Sequence, residues 1–164
     1  MKLWQGAALA VTAAALPACA RAAPQRAAVF GFEFVDTSLE APRPDEKTRL
    51  VKLDGELEDM LARSGQYVPV DLGPAAAAAR RMDLRECGGC DVPLAQNAGA
   101  EVSVTGWVQK VSNLILNINL VVRQVPDGKV VRAGSVDIRG NTDESWSRGL
   151  AYLLRNRILS GDAK

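Results

Sequence analysis

The sequence predicts an α/β fold of the mixed α+β kind: one sheet of about five strands, part parallel and part antiparallel, with helices packed on it. Three observations lead there. In the first half strand periodicity alternates with helical periodicity, in the second half three strand-like segments follow one another across short turns, and the C-terminal piece returns to helical spacing. Strands separated by helices pair in parallel through right-handed crossovers, while strands joined by hairpins must be antiparallel. Together the two halves require a mixed sheet, and the expected order is β-α-β-α-(α)-β-β-β-α.

The first strand is read in AAVFGFEFVD, Ala27 to Asp36, where Phe30, Phe32 and Phe34 alternate with Gly31, Glu33 and Val35. Period two places all three phenylalanines on one face, which is expected to be core. Leu50, Leu53, Leu57, Met60 and Leu61 then recur at helical spacing, with Asp45 as N-cap and Gly65 positioned to end the helix in the left-handed conformation. YVPVDL reads as a short strand, and Pro69 sends it to an edge. GPAAAAARRMDL starts a short helix at Pro74, and DVPLAQNA another with Asp91 as N-cap.

EVSVTGWVQ, LILNINLVVRQV and KVVRAGSVDIRG follow as strands, the last two joined by Pro126-Asp127-Gly128. In the middle one Leu114, Leu116, Ile118, Leu120 and Val122 form a core face, opposite Ile115, Asn117, Asn119, Val121 and Arg123. Trp146, Leu150, Leu153, Leu154 and Ile158 give the last helix its apolar stripe, with Asn141 and Glu144 at capping-box spacing. Its start is expected to gather Arg139, Asp143, Glu144 and Arg148 into surface ion pairs.

The N-terminus places one cation, Lys2, before an apolar run from Ala7 to Leu16 and then small residues, the layout of a secretory signal peptide cleaved near Ala22. The run is about half of the ~20 residues that cross a bilayer, so stable membrane insertion is not expected. Leu16-Pro17-Ala18-Cys19 also resembles a lipobox, which would put a lipid on Cys19, but Pro17 suits that box poorly. Residues 23–164 are expected to form a single periplasmic domain, large enough to bury roughly two thirds of its unfolded surface. Without Lys2 and Arg21 it carries 18 basic against 19 acidic side chains, 18 minus 19 or −1, and nucleic acid is not an expected partner. Histidine is absent, which excludes Ser/His/Asp and Cys/His catalysis and a His-containing zinc site. No metal centre or cofactor is expected.

In an oxidising compartment Cys87 and Cys90 are expected to pair as a disulfide, a local staple whose small ring contributes about 2 kcal/mol at most. A thiol-disulfide oxidoreductase centred on them is the alternative, opposed by Asp91, whose charge disfavours a neighbouring thiolate. Asp36, Thr37 and Ser38, past the carboxyl end of the first strand, could hold a cation or small polar ligand, since that end of an α/β sheet is where ligands bind. Trp107, Asn117, Asn119 and Arg123 form a candidate partner surface, because Asn is a poor strand former and an exposed Trp is a good anchor.

AVFGFEF at the domain start, the amphipathic helix, YVPVD, and AGAEVSVTGWV leading into hairpin strands resemble the α/β domain of the TolB N-terminal region and CsgG-like proteins. From GWVQKVSN to LLRNRIL the chain is similar to a family of small exported proteobacterial proteins of unknown function. The resemblance implies an envelope module that works by binding other proteins, and it brings no catalytic residues. The expected function is therefore a periplasmic, non-enzymatic interaction or accessory module, with the oxidoreductase and the small-ligand or metal-binding accessory protein as alternatives.

Overall fold

A computed structural model describes residues 23–160; Lys2, Cys19 and the expected cleavage point at Ala22 lie outside the described residues. Five strands and four helices follow in the predicted order: β1 Gln25–Asp36, α1 Pro44–Ser64, β2 Tyr67–Pro69, α2 Pro74–Ala79, α3 Asp91–Asn97, β3 Val102–Lys110, β4 Ile115–Gln124, β5 Val130–Arg139 and α4 Asp143–Leu153, the last continuing as a π-helical turn, Leu154–Ile158. The sheet order is β2-β1-β3-β4-β5. β1 is parallel to both neighbours, and β3, β4 and β5 are antiparallel. The mixed sheet is as expected, with β2 at an edge where Pro69 can be tolerated.

Helices α1 and α4 pack on one face. Leu53, Leu57 and Leu61 from α1 and Trp146, Leu150 and Leu153 from α4 meet Val104, Val108, Leu116, Ile118 and Leu120 from the strands, all buried. Each such apolar side chain contributes about 1.5–3 kcal/mol by leaving water. On the other face the short helix α3 closes a smaller cluster of Ala28, Ala95 and Ala100 with Phe30, Val70, Leu72 and Val125.

β1 departs from the simple alternation. Its register against β3 shifts between Val29 and Phe32, and Gly31 there has φ 77°, a left-handed value that favours glycine. The extra residue reverses the phase: Ala27 and Val29 before it, and Phe32 and Phe34 after it, face α1 and α4, while Phe30 joins the α3 side. The three phenylalanines therefore do not share a face. Sequence periodicity could not show this, since a bulge resets the count of two.

Other expectations shift by a residue or change partner. α1 begins at Pro44 with Arg43 as its N-cap, so Asp45 lies in the first turn, while Gly65 ends the helix at φ 67° as expected. Cys90 precedes α3, and Asp91 is its first residue rather than its cap. Thr142 caps α4, its hydroxyl accepting from Ser145 N, and Asn141 turns inward. Leu114 is 73% exposed and lies outside β4. Glu144 and Arg148 do pair on the surface, but Asp143 turns to α1 and meets Arg49 and Lys52.

Candidate functional site

At the carboxyl end of the parallel strands Asp36 and Lys110 are register partners. Lys110 is 0% exposed, and its Nζ lies 2.8 Å from Glu46 Oε1, 3.4 Å from Asp36 Oδ2 and 3.7 Å from Glu40 Oε2. Glu46, in the first turn of α1 and 4% exposed, also accepts from Asn141 Nδ2 at 2.7 Å and from the Arg43 amide at 3.0 Å. Asn141 Oδ1 in turn accepts from Arg49 Nη1 at 2.8 Å and Trp146 Nε1 at 3.1 Å. One chain of charge-assisted bonds thus ties the sheet end to the starts of α1 and α4. Burial alone pushes the Glu46 carboxyl up, but Lys110, the Arg43 amide and Asn141 together hold it below the usual range. The hydrogen bond to Glu46 raises Lys110 above its ordinary value.

Asp36, Thr37 and Ser38 wrap this cluster. Asp36 Oδ1 accepts from Ser38 N and Oγ, which with Lys110 lowers its pKa, and Thr37 donates from N and Oγ1 to the Lys110 carbonyl. The loop is therefore built around a cation that the chain itself supplies. Lys110 was missed by sequence reasoning, although it shares the even-numbered phase of Val102, Val104 and Val108 and so belongs to the core face of β3.

The second region is the sheet face that α1 and α4 do not cover. Trp107, half-buried, pairs in register with Glu33 on one side and Asn119 on the other, and Asn119 with Ser135. Asn117 Nδ2 donates to Ser135 Oγ at 2.8 Å and Asp137 Oδ1 at 2.7 Å, and Asn119 Nδ2 donates to Asn117 Oδ1. Trp107, Asn117 and Asn119 are thus brought together beside exposed Ser135 and Asp137. Arg123 lies at the far end of the same face and is drawn beneath α3, 3.5 Å from the buried Asp91, which also accepts from Ser103 Oγ. Cys87 and Cys90 form a disulfide with Cα atoms 5.7 Å apart in the turn that leads into α3.

The third region carried no sequence signal of its own. A cleft of about 810 Å³ lies between the middle of α1, the bulge of β1 and the segment from α2 to Leu84. Asp54 reaches into the bulge, where its Oδ1 accepts from Phe32 N at 2.8 Å, and a Cβ on Gly31 would sit 2.6 Å from that oxygen. Burial, assisted by the charge of Glu58, raises Asp54 to about 6 against its amide hydrogen bond. A raised pKa means that Asp54 costs stability as pH rises from 3.8 through about 6. Asp54→Asn is therefore expected to be more stable than the parent at pH 7, with the gap closing below pH 3.8; urea titrations across that range read it, and a constant gap would contradict it.

The family model described as "Protein of unknown function (DUF2380)", DUF3280, matches residues 25–158. The chain belongs to the DUF3280 family. The matched span runs from β1 to the end of the π-helical turn, so family membership covers the whole sheet and its helices. A family of unknown function was expected from the sequence, and the matching model describes one. No curated protein matches the chain. Among solved structures it is similar to the LpoB C-terminal domain from Salmonella enterica, at 16% identity over 74% of this chain and 87% of that one, TM-score 0.51. It is similar also to lipoprotein GNA1162 from Neisseria meningitidis, at 13% identity over 73% and 84%, TM-score 0.51. A PelC variant dodecamer from Paraburkholderia phytofirmans matches at 13% identity over 81% and 88%, TM-score 0.52. At these identities the likeness is one of fold. Among the described residues no helix is long and apolar enough to cross a membrane.

Proposed function

We propose that this DUF3280 protein is a non-enzymatic accessory module of the cell envelope, exported to the periplasm, that binds another envelope or periplasmic protein. The observation that carries the reading is Trp107: a large aromatic, only half-buried, at the centre of a sheet face that α1 and α4 leave uncovered, with a hydrogen-bonded Asn117–Asn119–Ser135–Asp137 array beside it. An aromatic anchor ringed by pre-positioned polar groups is the composition of a protein interface core and rim. One neighbour in fold is a lipoprotein and another a dodecamer, which supports an envelope setting and a role in assembly. In this reading the Cys87–Cys90 disulfide holds the turn before α3 in shape.

Crosslinking and pull-down from periplasm test it. The parent is expected to recover a defined partner, and Trp107→Ala to recover about tenfold less or lower still, at a temperature where circular dichroism shows both proteins folded. Equal recovery by Trp107→Ala would remove this face from the interaction, and no partner at all with the natively folded parent would overturn the reading.

A further inference from the structure

The outer edge of β1 is half bare. β2 pairs with it only from Gln25 to Ala27, and Val70 N, donating to Ala27 O at 2.9 Å, closes the ladder. On its inner edge β1 stays paired with β3 as far as Asp36. Backbone groups of alternate residues point the same way, so the amide and carbonyl of Val29 follow those of Ala27 outward. Farther on, Asp54 meets this edge at Phe32 N. No strand covers the stretch among the described residues.

The cleft of about 810 Å³ runs along this stretch, with Val29 to Glu33 as its floor, α1 on one side and α2 with the turn to Leu84 on the other. Because Asp54 closes the edge at Phe32 N, the bare length runs from Val29 to Gly31 and matches a pairing stretch of roughly three residues at about 3.3 Å each, within a longer bound segment. Its charge is one-sided: Glu33, Asp54, Glu58, Asp71 and Asp83 line it against Arg80 and Arg81. Five carboxylates against two guanidiniums leave the lining net acidic; burial raises Glu33 and Asp54 against their backbone hydrogen bonds, with the charges of Asp83 and Glu58 adding to it.

We propose that this cleft takes an extended peptide segment bearing Lys or Arg side chains, which adds to the outer edge of β1 as a strand in the place a longer β2 would fill. The main chain supplies the pairing, and the carboxylates on either wall select basic side chains. The cleft adjoins the Trp107 face at Glu33, the register partner of Trp107, but its test uses neither Trp107 nor the Asn117–Asn119 array and is independent of that reading. Without such a ligand the same acids would serve only to guard a bare edge against aggregation.

The fluorescein-labelled hexapeptide Val-Lys-Val-Arg-Val-Lys, titrated with the purified protein, separates the two. Saturable anisotropy change is expected, with protection of the Val29 amide in hydrogen exchange. Asp54→Asn combined with Glu58→Gln should weaken binding about tenfold or more, as lost charge-assisted contacts do, and the Asn still accepts from Phe32 N. N-methylation of alternate peptide amides should weaken it by at least about tenfold through lost ladder bonds. Asp127→Asn, which removes one charge in the distant β4–β5 turn, should leave binding unchanged. Absence of saturable binding, equal binding of the Val-Glu-Val-Glu-Val-Glu peptide, or indifference to N-methylation would each overturn the proposal.

Discussion

Lys110→Met is expected to lower stability by about 3 kcal/mol, because breaking a buried ion pair leaves the remaining charge in a dry site. The low end of the usual 3–5 kcal/mol range applies, since two of the partners, Asp36 and Glu40, are 24% and 39% exposed and let water approach from one side. The charge left behind is Glu46, 4% exposed and committed to Asn141 and the Arg43 amide. Urea denaturation reads the effect as a lower midpoint with an unchanged slope. Glu46→Gln added to Lys110→Met should recover part of the loss, because a neutral amide no longer needs the cation; Asn141 Nδ2 and the Arg43 amide donate to different oxygens of Glu46, so the Gln amide keeps one of these two bonds and loses the other. A single variant as stable as the parent would show that the ammonium contributes nothing net. The pH dependence has a definite sign. Glu46, held below 4.5, contributes stability above that value and loses it as pH falls, whereas Lys110, held above 10.5, contributes below that value and loses it as pH rises past it.

Trp146→Ala should cost about 3–5 kcal/mol, the range for removing a large aromatic from a packed core. Trp146 is fully buried, stacks on Phe34 with centroids 5.9 Å apart, and carries the Arg49 guanidinium 5.4 Å above its ring. Trp146→Phe keeps an aromatic body and loses the N–H donated to Asn141, so about 1–2 kcal/mol is expected from it. Thermal and urea unfolding of the two variants separate packing from hydrogen bonding; equal losses would place the whole effect in the hydrogen bond. Trp146 and Lys110 are linked through Asn141 and Glu46, so their losses should add imperfectly in the double variant.

Much of the framework was legible residue by residue. The Leu53, Leu57 and Leu61 stripe, the Leu116 to Val122 alternation and the Trp146 stripe each reported the type and inward face of its element, because those periods arise within one segment. Gly65 marked the end of α1, and Pro69 marked an edge strand, for equally local reasons. Trp107, Asn117 and Asn119 were readable as one face, since alternation and hairpin pairing fix their side of the sheet. Arg123 shares that phase but is taken out of the surface by Asp91, which no local pattern foretells.

The sequence by itself determined the inventory of elements, the mixed pairing and the apolar faces, all set by side-chain periodicity and turn chemistry acting over a few residues. The tertiary structure alone decided three things: the bulge at Gly31 that separates Phe30 from Phe32 and Phe34, the burial of Lys110 among Asp36, Glu40 and Glu46, and the cleft beside the bare edge of β1. The reason is separation along the chain. Lys110 meets Asp36 across 74 positions and Asn141 meets Glu46 across 95, and which polar groups converge over such distances depends on strand order, register and how far β2 extends.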